Sequence, residues 1–395
     1  MRVRVLGPMQ VEIAGTAVGL GGRLPRQLFA ALVVRAGASV SYRRWSPRSA
    51  RTKAYPHNDP MAPPSPTQRR LTPHDVAKLV RISFGPQAEV ADAAPLTGGG
   101  FAAVWRVRLA DGRDSVLKVG PAPDARLLSY EKDLIAAEAS YFRLVRQAGA
   151  APVPEVLHHG QHWLFTGYLD GTALPALPTT ADGAGARHDA GAAVARIHRL
   201  TGDRYGYTGD RAHGATWRQA FTAIIDDLLG DATAWNVTLP VPTDHVRDVV
   251  GRHAPVLDVV ERPALLHFDL WDGNLLAAID AAGATRLTGL VDGERHLYGD
   301  VLLDLVSPCL LRRIEDEPEH PFLRGYVAET GVPFVVDETV RRRLTLYRLH
   351  LYLIMLIEIP SRGMAGPYGD ARRARLGPLF ESEVAALDRA SVVDA

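Results

Sequence analysis

Cysteine is almost missing from the 395 residues, Cys309 being the single example. That excludes an intrachain disulfide framework and any multi-cysteine zinc or iron–sulfur centre, and it suits a reducing cytoplasm, where we expect the chain to work. Net charge is missing too. Forty-five basic residues face 44 acidic ones, for a formal charge of +1, which leaves no global field to draw nucleic acid or an anionic membrane surface. Nor is there a long apolar run. The most apolar stretch, LYRLHLYLIMLIEIP over 346–360, carries Arg348, His350 and Glu358; its uncharged part falls short of the ~20 residues a bilayer requires, so a buried helix is expected. The opening MRVRVLGPMQ lacks the continuous apolar core of a signal peptide. Lysine is the scarcest charged residue: Lys53, Lys78, Lys118 and Lys132 are the four among 45 basic positions. A lysine kept in an arginine-rich chain stands out where its neighbours are apolar.

Residues 1–43 read as short strands and one helix. MRVRVLGPMQVEIAG alternates apolar and polar residues, and RLPRQLFAALVVRAG has helical spacing closed by Gly37. This stretch resembles a truncated opening of the winged-helix DNA-binding domain of streptomycete-antibiotic-regulator type. The resemblance stops near VSYRR, ahead of the helix that such a module lays in the major groove, so no specific DNA binding is expected. Residues 44–70, rich in Pro, Ser and Arg without an apolar period, read as a disordered linker. From LTPHDVAKLVRISFG the pattern changes. Thr72 suits an N-cap, Pro73 the first helical position and Asp75 the first turn. PLTGGGFAAVWRVRLADGRDSVLKVG then reads as strand–turn–strand with an Asp111-Gly112 turn. A helix over about 129–148 and strands through HWLFTGYLDG follow, and beyond 180 the pattern is mainly helical. The sequence thus predicts an α+β, two-lobe architecture: a small β-rich lobe over 71–170 and a larger, mainly helical lobe over 171–395, with a cleft between them.

The chemistry is concentrated in His267-Phe268-Asp269-Leu270-Trp271-Asp272-Gly273-Asn274. Its spacing, H-x-D-x-x-x-x-N, is the catalytic-loop pattern of the kinase fold. A carboxylate must orient or accept the proton of an acceptor hydroxyl, and an amide oxygen nearby must help hold a hard divalent cation. Asp292 closes the apolar run LTGLV; a carboxylate there is costly unless paired or metal-bound, and Mg²⁺ prefers such oxygens. Upstream, Lys118 in VLKV has apolar neighbours. Gly98, Gly99 and Gly100 precede it in a β-turn-β context able to bring backbone N–H groups near phosphates. In the carboxylate-rich segment that follows, Glu138 is the expected partner of Lys118, with Glu131, seven residues earlier, as the fallback.

These residues resemble the aminoglycoside phosphotransferase (phosphotransferase enzyme) family of the protein-kinase-like fold. The resemblance runs from about 71 to 385 and rests on LTGGGFAAVWRV, VLKVG, the Glu138 helix, LLHFDLWDGNLL and LVDGERHLYGDVLLDLV. Leu270-Trp271 between the acidic and amide positions is similar to the fructosamine kinases of the same superfamily. The resemblance implies ATP or GTP in the inter-lobe cleft, its base on the hinge backbone near 166–169, Mg²⁺ on Asn274 and Asp292, and a small-molecule acceptor such as an aminoglycoside or amino sugar on the helical lobe. Phe268 stands where protein kinases have the arginine of H-R-D, and too little chain separates Asp292 from Asp304 for an activation segment; both departures argue against a protein acceptor. A fructosamine-kinase-like or other metabolite kinase is the alternative within the class. A non-catalytic, nucleotide-binding pseudokinase is the alternative outside it, although the Lys, Asp, Asn and metal-binding Asp positions are all filled. His267 is expected to brace the loop, Asp300 to cap or brace, and His198, Trp217 and Trp235 to pack. The acidic run Glu315, Asp316, Glu317 and Glu319 is expected to be solvated surface, its other use being to attract a polycationic acceptor.

Overall fold

The computed structural model describes residues 3–6, 10–13, 16–19, 65–96 and 100–390, in a chain that divides into two compact units, Met1–Lys53 and Ala54–Ala395. In the first, the alternating pattern forms strands β1 (Val3–Leu6), β2 (Gln10–Ile13) and β3 (Thr16–Gly19), an antiparallel sheet in that order. The helix expected over 23–37 and most of the 44–70 linker lie outside the described residues. Where the linker reading meets described chain, at 65–70, it needs correcting: Ser65 and Thr67 are buried. Their hydroxyls bond each other at 2.8 Å, so this end of the stretch is a packed part of the second unit.

The second unit begins with helix α1 (Pro73–Phe84), which has the start its sequence dictates. Thr72 accepts from the Asp75 N–H and the Asp75 carboxylate accepts from the Thr72 N–H, a reciprocal capping box. Strands β4 (Val90–Pro95), β5 (Ala103–Leu109), β6 (Asp114–Val119), β7 (Val156–His159) and β8 (Trp163–Gly167) form an antiparallel sheet ordered β4-β5-β6-β8-β7. The β5–β6 turn carries Gly112 at φ +92°, as Asp-Gly turns require. Period-2 alternation then assigns the two faces. Trp105, Val107, Leu117, Val119 and Phe165 are buried together with Val76 and Val80 of α1, each such side chain contributing roughly 1.5–3 kcal/mol. Val104, Val116 and Lys118 therefore point to the opposite face, and Val104 pairs directly with Lys118 in register. Helix α2 (Leu134–Gln147) is shorter than the expected 129–148. Ser129–Glu131 is a separate 3-10 turn, and Asp133 at φ 55° breaks the path between them.

The remainder is mainly helical: α3 (Ala184–Ile197), α4 (Trp217–Ala234), α5 (Thr243–His253), α6 (Pro321–Thr330), α7 (Glu338–Ser361) and α8 (Gly366–Arg389). Two small antiparallel sheets are set among them. One orders β11 (His213–Gly214), β10 (Tyr205–Gly206), β15 (Leu297–Gly299) and β12 (Ala264–Leu266); the other orders β14 (Thr285–Leu290), β13 (Leu275–Ile279) and β9 (Thr172–Ala173). Helices α3 and α6 approach so closely that a Cβ on Gly191 would lie 1.9 Å from the Phe322 carbonyl oxygen, and one on Gly325 1.9 Å from that of His188. The apolar run near 346–360 is the buried C-terminal part of α7, its Arg348 paired with Glu315 at 2.8 Å and Glu383 at 3.1 Å. Among the described residues no helix is long and apolar enough to cross a membrane.

Candidate active site

The loop His267–Asn274 leaves β12 and enters the β13–β14 hairpin. The hairpin's antiparallel register sets Leu275 opposite Leu290, so Asn274 and Asp292 emerge side by side, and the Val291 N–H bonds the Asn274 carbonyl at 3.1 Å. Seventeen intervening residues are thus spanned by one local pairing. The loop is held from beneath by Asp304, fully buried, whose carboxylate accepts the backbone N–H groups of His267 (2.8 Å) and Phe268 (2.5 Å). His198 Nε2–H donates to the same carboxylate at 3.0 Å, which leaves Nδ1 to accept from the Tyr326 hydroxyl at 2.9 Å. Asp300, the residue expected to cap or brace, does cap: it accepts from the Leu302 N–H at the start of the Val301–Leu305 3-10 turn. It also accepts from Arg343 and Tyr347, both at 2.7 Å. The loop brace itself is Asp304.

His267 is buried and neutral, burial pushing its pKa below the ordinary value. Its Nε2–H donates to the Val291 carbonyl at 3.0 Å and its Nδ1 accepts from the Asp269 N–H at 3.3 Å. Phe268 sits at φ +67°, a conformation that a bulky residue adopts only when its surroundings over-determine it. Here its ring is buried and stacks on His350, centroids 4.9 Å apart and planes within 7°. Asn274 donates its amide N–H to the Asp269 carbonyl at 2.8 Å, which turns the amide oxygen away from that bond. Arg187 of α3 grips Asp272 with two bonds of 2.9 and 2.6 Å. Gly273 is required by the Trp271 ring, which a Cβ would meet at 2.1 Å.

Lys118, Glu138, Asp269, Asn274, Asp292 and Gly100 line one cleft of about 370 Å³ between the sheet and the helical part, within the size range of small-molecule sites. Gly98 and Gly99 lie outside the described residues. Lys118 Nζ donates to Glu138 Oε1 at 2.6 Å and also to the Asp292 carboxylate. Burial opposes the lysine charge, but Asp292 and Glu138 outweigh it and hold its pKa above the ordinary range. Burial likewise works against the Asp292 carboxylate, and Lys118 outweighs it to leave the pKa lowered. Asp292 keeps 41% of its side chain exposed toward the cleft and has a left-handed backbone, φ 61°. Burial pushes the Asp269 carboxyl up to about 6, with Arg295 pulling it down and Asp292 and Glu358 pushing it further up. Glu131, the fallback partner of Lys118, is elsewhere: it is buried, accepts from the Leu128 N–H at 2.9 Å and pairs with Arg362.

Several cleft residues had no assigned role in the sequence reading. Glu294 lines the cleft beside Asp292, burial and Asp292 raising its pKa against Lys118; its signal was the Asp292-Gly293-Glu294 spelling. Arg295 bonds Glu358 Oε1 at 2.5 Å, and Glu358 also accepts from Tyr130 at 2.6 Å and Arg362 at 3.5 Å. Trp271 and Met355 add apolar wall. Trp217 is core, its indole N–H donating to Tyr347 at 2.7 Å, and Trp235 stacks under Arg126. Neither lines the cleft, and nor does the acidic run, in which Glu315 is buried against Arg348 and Glu317 pairs with Arg312.

A β-sheet lobe carrying a buried Lys–Glu pair, set over a helical lobe carrying the H-x-D loop, defines the protein-kinase-like fold. Solved structures agree. A fructosamine-3-kinase candidate from Thermobifida fusca YX-ER1 matches with TM-score 0.59 at 22% identity, over 81% of this chain and all of its own. A macrolide 2'-phosphotransferase type I matches with 0.52 at 15%, over 78% and 99%. A thermostable mutant of aminoglycoside phosphotransferase APH(4)-Ia, in ternary complex with AMP-PNP and hygromycin B, matches with 0.51 at 20%, over 80% and 99%. In sequence, a candidate ketoamine kinase of Lactiplantibacillus plantarum is 24% identical over 284 residues, 69% of this chain and 90% of its own. The model of the phosphotransferase enzyme family matches residues 92–344, and the chain belongs to that family: it is a small-molecule phosphotransferase. The stretch likened to a winged helix lies outside that match.

Proposed function

We propose that this enzyme moves the γ-phosphoryl group of ATP to a hydroxyl of a small sugar-like acceptor, with Asp269 orienting or deprotonating that hydroxyl. The observation that carries the reading is the convergence of Lys118, Glu138, Asp269, Asn274 and Asp292 on one cleft. Val104, Val116, Leu276 and Val291 offer apolar surfaces to a base, beside the backbone of 166–169. Lys118, fixed by Glu138, offers a point charge to phosphate oxygens. The oxygens of Asn274, Asp292 and Glu294 are hard donors on one wall and suit Mg²⁺, which would neutralise phosphate charge when bound. Asp269 lies on the same wall beside Arg295, whose guanidinium favours the ionised carboxylate that must receive a proton. The rest is positioning: the Asp304 and Arg187 contacts fix the loop, so the acceptor oxygen meets a preset carboxylate.

Among acceptors, a sugar bearing one amine, as in a ketosamine, fits this cleft better than a polycationic aminoglycoside. The carboxylates of 315–319 stand outside the cleft, and Glu358, on its wall, is engaged by Arg295 and Arg362. The likeness to a candidate ketoamine kinase points the same way. The test is an acceptor panel of ketosamines, amino sugars, aminoglycosides and macrolides with MgATP and MgGTP, read as nucleotide consumption and as phosphate added to the acceptor by mass. Phosphorylation of a ketosamine supports the reading. Phosphorylation of aminoglycosides alone overturns the acceptor, and nucleotide binding without turnover on any acceptor favours the pseudokinase.

A further inference from the structure

The segment just ahead of α1 touches residues that line the cleft without lining it itself. Thr67, 2% exposed, donates its hydroxyl to the Gly100 carbonyl at 3.2 Å, and Gln68 Nε2 donates to the Ala102 carbonyl at 3.2 Å. Gly100 and Ala102 belong to the glycine-rich connection between β4 and β5, and both line the cleft with Phe101. The strap is itself built to hold its shape. The Gln68 N–H closes a turn onto the Ser65 carbonyl at 3.0 Å, and the Ser65 hydroxyl bonds the Thr67 hydroxyl at 2.8 Å. Its other side is seated on the turn between α7 and α8, where a Cβ on Gly363 would lie 2.9 Å from Pro66 Cδ. The preceding residue of that turn, Arg362, places its guanidinium 5.2 Å over the Phe101 ring. Gly100–Ala102 is thus tied through Thr67 and Gln68 and through the Phe101 ring, and both ties end on the same turn of the helical lobe.

We infer that residues 65–68 form a strap that presets the backbone of Gly100–Ala102 for the nucleotide's phosphates, with Thr67 and Gln68 as positioning residues. The physical reason is peptide planarity. A trans peptide points its C=O and N–H in opposite directions, so a Gly100 carbonyl held by Thr67 turns the Phe101 N–H to the far side of the connection, away from the strap. Backbone at a glycine has much freedom to lose on ordering; at Gly100–Ala102 two side-chain donors remove part of that freedom before the ligand arrives, which raises affinity without touching the ligand. The strap rests on the reading that this cleft takes a nucleoside triphosphate, and it acts on phosphate and not on the base.

The experiment is calorimetric titration of the full chain with Mg-AMP-PNP and, separately, with adenosine, on the wild type, Thr67→Ser and the Thr67→Val/Gln68→Met double variant. Losing two neutral hydrogen bonds, each at the low end of its usual worth, predicts roughly fivefold weaker AMP-PNP binding in the double variant. Adenosine affinity should stay within about twofold, and Thr67→Ser, which keeps the hydroxyl, should bind AMP-PNP as the wild type does. Unchanged AMP-PNP binding in the double variant overturns the strap alone. So does an equal loss for adenosine, which would mean general loosening of the lobe. Absence of AMP-PNP binding by the wild type overturns the strap and the nucleotide reading together.

Discussion

Asp269 is held between opposing influences, and the balance has a measurable consequence. Burial raises its pKa to about 6, while Arg295 lowers it. The base form is the carboxylate, so kcat/KM should fall as pH drops through about 6 and level off above it. Arg295→Met removes the positive charge that favours the ionised form, so the acid limb should move to higher pH; an unmoved limb would mean that another group titrates. Lys118 and Asp292 gain from each other what burial would take from each alone, which is how a lysine remains charged inside a cleft. At this scale the sequence spoke clearly wherever spacing was short. Asp269 and Asn274 sit in one motif, and Lys118 stood out as a rare lysine among apolar neighbours. Glu358 and Arg362 were silent because they lie about ninety residues away in sequence, on a helix whose apolar run gives no hint that its polar members reach the site.

The elements that carry these residues are held by buried polar contacts. Asp304 satisfies two backbone N–H groups of the His267–Asp269 turn and orients His198. Asp304→Ala leaves those donors unpaired in a dry interior and should cost about 3 kcal/mol or more by denaturant titration, with activity lost at temperatures where the fold survives. A change under about 1 kcal/mol would show that the loop holds itself. Helix α6 seats on α3 through Gly191 and Gly325, and Gly325→Ala should lower the melting temperature clearly, because the new methyl meets the backbone oxygen of His188 and not a movable side chain. Both strand faces and the capping box of α1 were legible, since alternation and capping are local. The break of the expected 129–148 helix was not. It depends on Glu131 being drawn to Arg362 and on a left-handed Asp133, and no propensity encodes a partner more than two hundred residues downstream. The choice between Asp300 and Asp304 as loop brace was equally invisible: four residues apart in one motif, they differ only in which way the Val301–Leu305 turn faces them.

Across the unit Ala54–Ala395 as a whole, a β-rich lobe and a helical lobe meet along one cleft, and each supplies what the other lacks. The sheet lobe contributes Lys118 and Gly100, and the helical lobe contributes Asp269, Asn274, Asp292 and Glu294. The same division explains why the reaction class could be read from sequence while the acceptor could not. Phosphate, metal and proton chemistry demand fixed residue types at fixed spacing, whereas the rest of the cleft wall is assembled from scattered positions such as Trp271, Arg295 and Met355. The proposed role of Asp269 is to serve the acceptor hydroxyl and not the nucleotide. It is tested most directly by comparing wild type and Asp269→Asn for phosphate transfer to the best acceptor of the panel and for Mg-AMP-PNP affinity. Turnover should be lower by a factor on the order of 10²–10⁴ with nucleotide affinity largely unchanged. Near-normal turnover in Asp269→Asn would contradict it.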